Sequence, residues 1–286
     1  MLDVRVALIT GCGKSDGVGQ AIARRLSDDG FAVVVTDREP GGVRNQGDAD
    51  AAPGSGIDVF VASLEAEGRT AVALVGDIGD PADVTRMLET VDERFGRLDV
   101  LVNNAAAPQG PDRADIGELS LEAWNELIRV NLTGTFLMCQ AGVALMRRGR
   151  YGRIINISSM AAITAAPRSV PYSAAKAGIL GLTRALSMDV ARWGITVNAI
   201  APGLVGTSRS MLGRRDTDRE EHLRASARKV AVGKVGMPVD IANAVAFFAD
   251  ERTSHVTAQT MQIDGGGNSS FPLSGPDDGD DAGEGR

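Results

Sequence analysis

Cysteine and histidine are scarce in this chain, and their scarcity excludes two kinds of site. The two cysteines, Cys12 and Cys139, are too few for a disulfide framework or a zinc site. The two histidines, His222 and His255, are not spaced for metal binding. We therefore expect neither a structural disulfide nor a metal centre.

Positive charge and long apolar runs are also lacking. The 30 Lys and Arg are outnumbered by 37 Asp and Glu, which gives a formal net charge of −7. Nucleic-acid and anionic-membrane surfaces need clustered Lys and Arg, so neither partner is expected. The first apolar run, VRVALI, follows no basic region and is too short to cross a bilayer. The sequence predicts a soluble cytoplasmic protein.

Aromatic residues make up only 4% of the chain, whereas 43% of it is hydrophobic, so aliphatic side chains must form the core. Short runs rich in Val, Ile and Leu alternate with amphipathic stretches, as in a parallel sheet whose strands are buried on both faces. This alternation predicts an α/β single-domain Rossmann fold, with a doubly wound sheet of about seven strands. The strand candidates are residues 4–9, 32–36, 71–75, 100–103, 153–157, 196–199 and 259–263.

No linker separates two cores, so we predict one domain over residues 1–267. Residues 268–286 end in PDDGDDAGEGR, an acidic, Gly-rich segment expected to be a disordered, solvated tail. Residues 39–56 form an insertion too long for an ordinary strand-to-helix link. It is interpreted as a mobile surface insertion, with a flap beside a ligand at the end of the second strand as the alternative.

The stretch TGCGKSDGVG, residues 10–19, follows the first strand candidate and opens a helix. Its GKS resembles the end of a triphosphate-binding loop, but the glycine required five residues before Gly13 is replaced by Leu8. Glycines after a first strand let the backbone turn tightly and approach the pyrophosphate of a dinucleotide at a helix N-terminus. The stretch therefore predicts a dinucleotide site, with Gly11, Gly17 and Gly19 as its essential glycines.

The second strand candidate leads to Asp37, eighteen residues past Gly19. A carboxylate at this position accepts hydrogen bonds from the ribose 2′-hydroxyl of NAD and repels the 2′-phosphate of NADP. Arg38 and Lys14 favour the opposite choice, since either could pair with that phosphate. The sequence thus favours NAD and leaves NADP open.

The stretch YSAAK places Tyr172 and Lys176 four residues apart, on one face of a helix. A tyrosine with an ordinary pKa of ~10 is a poor base at neutral pH. A neighbouring ammonium stabilises the phenolate, which favours proton abstraction from an alcohol. A surface Tyr–Lys pair is the alternative, but here the pair follows NISS at the end of a strand candidate.

Several motifs occur in an order that resembles the short-chain dehydrogenase/reductase family, in its compact single-domain branch. They are the glycine loop, GDI with Asp77, NNAA from residue 103, VNLTG with Asn131, ISS ending at Ser159, YSAAK, and APG from residue 201. The resemblance covers residues 4–267 and implies an oxidoreductase that transfers a hydride between a nicotinamide cofactor and a secondary alcohol or ketone.

The resemblance also implies the roles of four catalytic residues. Ser159 would bind the substrate oxygen, and Tyr172 would be the general base in oxidation and the acid in reduction. Lys176 would stabilise the Tyr172 phenolate and hold the nicotinamide ribose. Asn131 would anchor a water that passes the proton to solvent, although a helix-interior hydrogen bond is its simpler interpretation.

Cofactor contacts follow from the same resemblance. Asp77 and Ile78 would border the adenine, and Asn103 and Ala105 the adenosine, although Asn103 could merely brace adjoining strands. The full cofactor-binding set is Gly11, Lys14, Gly17, Val18, Gly19, Asp37, Arg38, Asp77, Ile78, Asn103, Ala105, Tyr172, Lys176, Pro202, Gly203, Val205 and Thr207.

The glycine loop departs from the family pattern, as does the insertion at residues 39–56. Five residues, CGKSD, separate Gly11 from Gly17 where the family has three, so the amides that meet the pyrophosphate are not fixed. The charged segment TSRSMLGRRDTDREEHLRASARK is expected to form a helical lid. Its arginines are interpreted as a solvated face, and a charged or carrier-linked substrate is the alternative.

The resemblance implies a homotetramer, built by pairing long helices over residues 121–146 and 172–193, with a homodimer as the alternative. Two other functions remain open from the sequence. One is an NADPH-dependent 3-oxoacyl-carrier reductase. The other is a non-catalytic nucleotide-sensing regulator, which the joint presence of Asn131, Ser159, Tyr172 and Lys176 disfavours, since a sensor needs no proton relay.

Overall fold

The computed structural model of the chain describes residues 4–44, 56–110, 112–164, 167–211 and 216–268. Most of the insertion at 39–56 and nearly all of the tail at 268–286 therefore lie outside the described residues. In the described ranges, no helix is both long and apolar enough to cross a membrane.

Seven parallel strands form one sheet in the order β3-β2-β1-β4-β5-β6-β7. This confirms the predicted fold class and all seven strand candidates, whose ends differ from the observed ones by three residues or fewer. The strands are β1 (Val6–Thr10), β2 (Ala32–Asp37), β3 (Ala71–Val75), β4 (Val100–Asn103), β5 (Gly152–Ile157), β6 (Ile195–Pro202) and β7 (Thr260–Ile263).

Helices connect the strands. They are α1 (Val18–Asp28), α2 (Ile57–Ala66), α3 (Pro81–Phe95), α4 (Leu121–Ile128), α5 (Thr135–Gly149), α6 (Val170–Val190), α7 (Ser208–Met211), α8 (Asp216–Ala227) and α9 (Pro238–Ala249). A π-helical segment, Arg129–Gly134, joins α4 to α5. The ends of α3 show why helices start and stop at such residues: the Asp80 side chain accepts a hydrogen bond from the Ala82 amide, Pro81 begins the helix, and Gly96 ends it with φ of 68°.

Two hydrophobic clusters cover the two faces of the sheet. Along β1, Ala7 and Ile9 face the cluster that contains α1, α2 and α9, whereas Val6 and Leu8 face the cluster that contains α3, α5 and α6. Strand residues alternate between faces, and each fully buried aliphatic side chain contributes about 1.5–3 kcal/mol to folding. Because both faces are buried, β1 is an unbroken apolar run rather than an alternating one.

The strand order reverses between β1 and β4, which lie side by side although β2 and β3 come between them in sequence. In open α/β sheets, the connections that leave the carboxyl ends of two such strands diverge and open a crevice. Here the loop of residues 11–17 follows β1 and the loop of residues 104–120 follows β4. The fold therefore places the site between these two loops.

Candidate active site

A cavity of about 600 Å³ opens at the carboxyl ends of the strands. It brings together the glycine loop, the end of β2, the segment after β5, the start of α6 and the loop after β6. The sequence-predicted residues that line it are Gly11, Lys14, Gly17, Val18, Asp37, Arg38, Asp77, Ile78, Ala105, Ser159, Tyr172, Lys176, Pro202, Gly203, Val205 and Thr207. Gly19, Asn103 and Asn131 are not among the lining residues.

The glycine loop packs against itself too closely for side chains. A Cβ on Gly19 would lie 2.3 Å from the Gly11 carbonyl oxygen, and Gly11 itself has φ of +76°. The amides of Gly11 and Cys12 both donate to the Thr36 carbonyl at the end of β2. The loop thus turns tightly at the start of α1, in the arrangement that lets a pyrophosphate approach a helix N-terminus.

Gly13, within the lengthened part of the loop, is a site residue that the sequence did not single out. Its amide donates to the Asp37 Oδ2 at 2.8 Å, and a Cβ there would lie only 2.2 Å from the Gly42 Cα. The signal that could have found it is its place between Gly11 and Gly17. The extra loop residues therefore pack beneath the short stretch that follows β2.

Asp37 ends β2 with both carboxylate oxygens engaged. Oδ2 accepts from the Gly13 amide and Oδ1 from the Arg38 amide, each at 2.8 Å. Burial raises the pKa of the Asp37 carboxyl above its ordinary value, and hydrogen bonds from these amides oppose the rise. The neighbouring Arg38 guanidinium lies 3.5 Å from Glu126 and 3.8 Å from Glu39, so two carboxylates already compete for it.

Asn103 and Asn104 have different surroundings. Asn103 is buried and donates to the Asn156 Oδ1 at 2.8 Å, so it joins β4 to β5 beneath the cavity. Asn104 lines the cavity and donates to the carbonyls of Thr10 and Gly11, which fixes the glycine loop against the loop after β4. The sequence analysis listed Asn103 as a cofactor contact. Its side chain instead bonds to the neighbouring strand, which matches the alternative that Asn103 braces adjoining strands.

Lys176 is almost fully buried and its Nζ donates to the Ile157 carbonyl at the end of β5, at 2.7 Å. Burial, reinforced by the nearby Arg209 charge, lowers the pKa of Lys176 to about 7. The Ser158 hydroxyl donates to the Lys176 carbonyl, and the Ser158 amide donates to Ile200 on β6. These bonds hold the start of α6 against the ends of β5 and β6.

Ser159 and Tyr172 reach the cavity from the two sides of this junction. Ser159 follows β5, and its Oγ accepts a hydrogen bond from the Ala161 amide at 3.1 Å. Tyr172 lies in the first turn of α6, and the Lys176 Nζ is 5.8 Å from its ring centroid. The two hydroxyls and the ammonium thus share one cavity, as the resemblance to the short-chain family implies.

Asn131 lies in the π-helical segment and is fully buried. Its Oδ1 accepts from the Ala107 amide at 2.8 Å, which ties the loop after β4 to this helix. Among the described residues, its Nδ2 has no hydrogen-bond partner. This is the helix-interior position that the simpler interpretation predicts, and a π-bulge at that point is common near functional sites.

The segment expected to form a lid contains α7 and α8. One of its arginines, Arg209, does not face solvent as the sequence analysis expected. Arg209 on α7 turns into the cavity and donates to the carbonyl oxygens of Ala106 and Ala107, at 3.4 and 2.6 Å. The interpretation of the lid arginines as a solvated face is therefore wrong for Arg209. For Arg224, whose side chain is 75% exposed and pairs with Glu220, it is correct.

Comparisons with known proteins show what this chain is similar to. The family model described as enoyl-(acyl carrier protein) reductase matches residues 11–268. The (2S)-[(R)-hydroxy(phenyl)methyl]succinyl-CoA dehydrogenase subunit BbsD of Thauera aromatica is 40% identical over 92% of this chain and 96% of its own. Dehydrogenase/reductase SDR family member 4 of Homo sapiens is 34% identical over 92% of this chain and 87% of its own.

A solved structure, that of levodione reductase, matches with a TM-score of 0.80 and 29% identity over 93% of this chain and 98% of its own. Such a family implies an oxidoreductase with a nicotinamide cofactor and a small-molecule substrate. The glycine cradle fits that cofactor, since the backbone around Gly11 and Gly19 leaves no room for side chains. The chain belongs to the short-chain dehydrogenase/reductase family.

Proposed function

We propose that this protein transfers a hydride between NAD and a secondary alcohol or ketone, with Tyr172 as general acid and base. The observation that carries the proposal is the common cavity of Ser159, Tyr172 and Lys176, with Lys176 held by the Ile157 carbonyl. A surface Tyr–Lys pair would need no such anchoring of a buried ammonium, whose desolvation is costly.

In the proposed oxidation, the Ser159 hydroxyl binds the carbinol oxygen and Tyr172 takes its proton. The Lys176 ammonium stabilises the phenolate that accepts this proton. The nicotinamide, when bound, supplies the hydride chemistry. In reduction the same tyrosine returns the proton to the carbonyl oxygen.

Asn131 is assigned a positioning role. Its Oδ1 holds the Ala107 amide, which keeps the loop after β4 at the cavity wall. The unpartnered Nδ2 supports the further assignment that Asn131 orients a water connecting Lys176 to solvent.

NAD is the proposed cofactor rather than NADP. Asp37 presents a carboxylate at the end of β2, where a 2′-phosphate would be repelled. Arg38 is engaged by Glu126 and Glu39, which reduces its availability for that phosphate. Cofactor contacts by the lining residues, and by Gly19 through the shape of the loop, belong to the same proposal.

The main rival is an NADPH-dependent 3-oxoacyl-carrier reductase. One observation favours it: the 3-oxoacyl-[acyl-carrier-protein] reductase of Synechocystis sp. is 34% identical over 93% of this chain. Initial rates with NAD and NADP, in both directions and over a panel of alcohols and ketones, separate the two. Turnover with NAD supports the proposal, and a strong preference for NADPH with carrier-linked substrates supports the rival.

A homotetramer in the cytoplasm is proposed as the working form. Large apolar side chains are exposed along the long helices, namely Leu121 on α4, Phe136 on α5, and Val170 and Met188 on α6. Pairing of these helices between copies would bury this surface. Light scattering coupled to gel filtration tests it, and a monomer at micromolar concentration would contradict it.

A further inference from the structure

Two arginine side chains enter the cavity beside Tyr172 from different segments. Arg113, in the loop after β4, has its guanidinium carbon 5.5 Å from the Tyr172 ring centroid. Arg209 comes from the lid helix α7 and donates to the carbonyls of Ala106 and Ala107. Both arginines line the same cavity as Tyr172.

Within the described residues, Arg113 has one ion-pair partner and a bond from its Nη1 to the Ser169 hydroxyl, whereas Arg209 has no ion-pair partner. Arg113 has one carboxylate nearby, that of buried Asp112, whose Oδ2 is 3.6 Å from the Arg113 Nε. Neither of these two atoms has a hydrogen-bond partner among the described residues. No described carboxylate forms an ion pair with Arg209, whose two hydrogen bonds go to neutral carbonyls.

Arg209 is also held in an unfavourable environment. Burial lowers its pKa, and Arg113 lowers it further, while Tyr172, Asp112 and Asp37 oppose the shift. Arg209 in turn lowers the pKa of Lys176. Like charges gathered in a partly desolvated cavity repel each other, and an anion placed between them relieves this repulsion.

We propose that Arg113 and Arg209 bind a carboxylate of the substrate, so that the alcohol or ketone acted on is a hydroxy acid or keto acid. The inference rests on the proposed oxidoreductase function and specifies its substrate class. A guanidinium has five N–H donors. Arg209 donates to carbonyls once from Nη1 and once from Nη2, so N–H donors remain for an incoming carboxylate.

The position of the pair argues for the substrate rather than for the cofactor phosphates. Arg113 lies over the ring of Tyr172, the group that meets the substrate oxygen, whereas the pyrophosphate is expected at the glycine loop before α1. The carboxylate would therefore lie a short distance from the reacting carbon. An acyl-carrier substrate has its charge far from this carbon and would leave Arg209 without an anion.

The test compares keto acids with their uncharged esters. Acetoacetate and levulinate are assayed against methyl acetoacetate and methyl levulinate, with NADH and with NADPH. Arg209→Gln and Arg113→Gln remove the charges, Arg209→Lys restores one, and Arg224→Gln is the control for an exposed arginine of the same lid. Thermal unfolding checks that each variant folds.

The proposal predicts that the wild type has a higher kcat/KM for an acid than for its ester. Loss of either guanidinium lowers this acid-to-ester ratio about 10- to 100-fold, as expected for a charge-assisted hydrogen bond. Arg209→Lys restores part of the ratio, and Arg224→Gln keeps it. Equal use of acids and esters by the wild type, or an unchanged ratio in both variants, would overturn the proposal. So would a raised KM for the cofactor alone, which would assign Arg209 to the cofactor phosphates.

A binding measurement separates failure of this inference from failure of the proposed function. Succinate, which has no alcohol or ketone, is titrated calorimetrically into protein saturated with NAD. Binding that is lost in Arg209→Gln supports the carboxylate site even if no ketone or alcohol is turned over, a result that would count only against the oxidoreductase. Absent binding, or binding unchanged by the substitution, overturns the carboxylate site whatever the activity.

Discussion

Asp16 and Ser208, 192 residues apart in the chain, are joined by two hydrogen bonds across the mouth of the cavity. The Ser208 amide and hydroxyl donate to the two carboxylate oxygens of Asp16, at 2.6 and 2.9 Å. Asp16 belongs to the lengthened part of the glycine loop, and Ser208 begins the lid helix α7. The extra loop residues therefore connect the cofactor side of the cavity to the lid.

We expect Asp16→Ala to loosen the lid and to speed cofactor release. Both bonds have a charged acceptor, and their removal should raise the release rate about 10-fold, as for a charge-assisted contact partly exposed to water. Stopped-flow displacement of bound NADH measures this rate. A double-mutant cycle with Ser208→Ala isolates the hydroxyl bond. Strictly additive effects on the logarithm of the release rate would contradict a direct coupling.

Gly13→Ala tests the packing of the loop against the stretch after β2. The added Cβ would lie 2.2 Å from the Gly42 Cα, a backbone atom that cannot move alone. We expect a loss of about 1–3 kcal/mol in unfolding free energy, typical of overpacking, together with weaker NAD binding. Gly149→Ala is the matched control, since nothing lies within 4 Å of the added Cβ. If both variants denature at the same urea concentration, the close packing of Gly13 against Gly42 is contradicted.

Asp37→Asn tests the choice of cofactor. The substitution removes the charge that repels a 2′-phosphate, so the NAD-to-NADP ratio of kcat/KM should fall at least 10-fold. Because burial raises the pKa of the Asp37 carboxyl, this carboxyl should become protonated at a higher pH than the carboxyl of an exposed Asp. The KM for NAD should then rise as the pH falls, in the wild type and not in Asp37→Asn. An unchanged ratio in the variant would contradict the role of Asp37.

The central strands could be predicted because burial on both faces makes them short, continuous apolar runs, as in residues 6–9 of β1 and 100–102 of β4. Tyr172 and Lys176 could be predicted to share a helix face from their spacing, and Ser159 could be added to them because the ordered motifs resemble a known family. Arg209 could not, because whether a lid arginine points to solvent or into the cavity depends on carbonyls about a hundred residues away. The Asp16–Ser208 contact depends likewise on how distant segments pack.

Lys176 gives a prediction about pH and stability. Its pKa is about 7 in the folded protein and ~10.4 in an unfolded chain, so the unfolded state binds more protons between these values. The Lys176 contribution to unfolding free energy should therefore increase as the pH rises from about 7 to ~10.4. Urea denaturation over this range should show a steeper rise for the wild type than for Lys176→Met.

The titration itself can be observed by NMR, because the chain has only four lysines, Lys14, Lys176, Lys229 and Lys234. With ¹³C-labelled lysine, one resonance should titrate near pH 7 and vanish in Lys176→Met. Arg209→Gln should move this titration to higher pH, because the Arg209 charge disfavours the ammonium. Four resonances that all titrate near 10 would contradict the burial argument.

The proton transfer assigned to Tyr172 is the central claim, and single-turnover reduction by Tyr172→Phe tests it most directly. Tyr151→Phe is the matched control, because Tyr151 is the chain's other tyrosine and its hydroxyl has no partner among the described residues. With NADH and a ketone that the wild type reduces, we predict that Tyr172→Phe slows hydride transfer about 10²- to 10⁴-fold, while Tyr151→Phe keeps the wild-type rate. Wild-type rates in both variants would contradict the account.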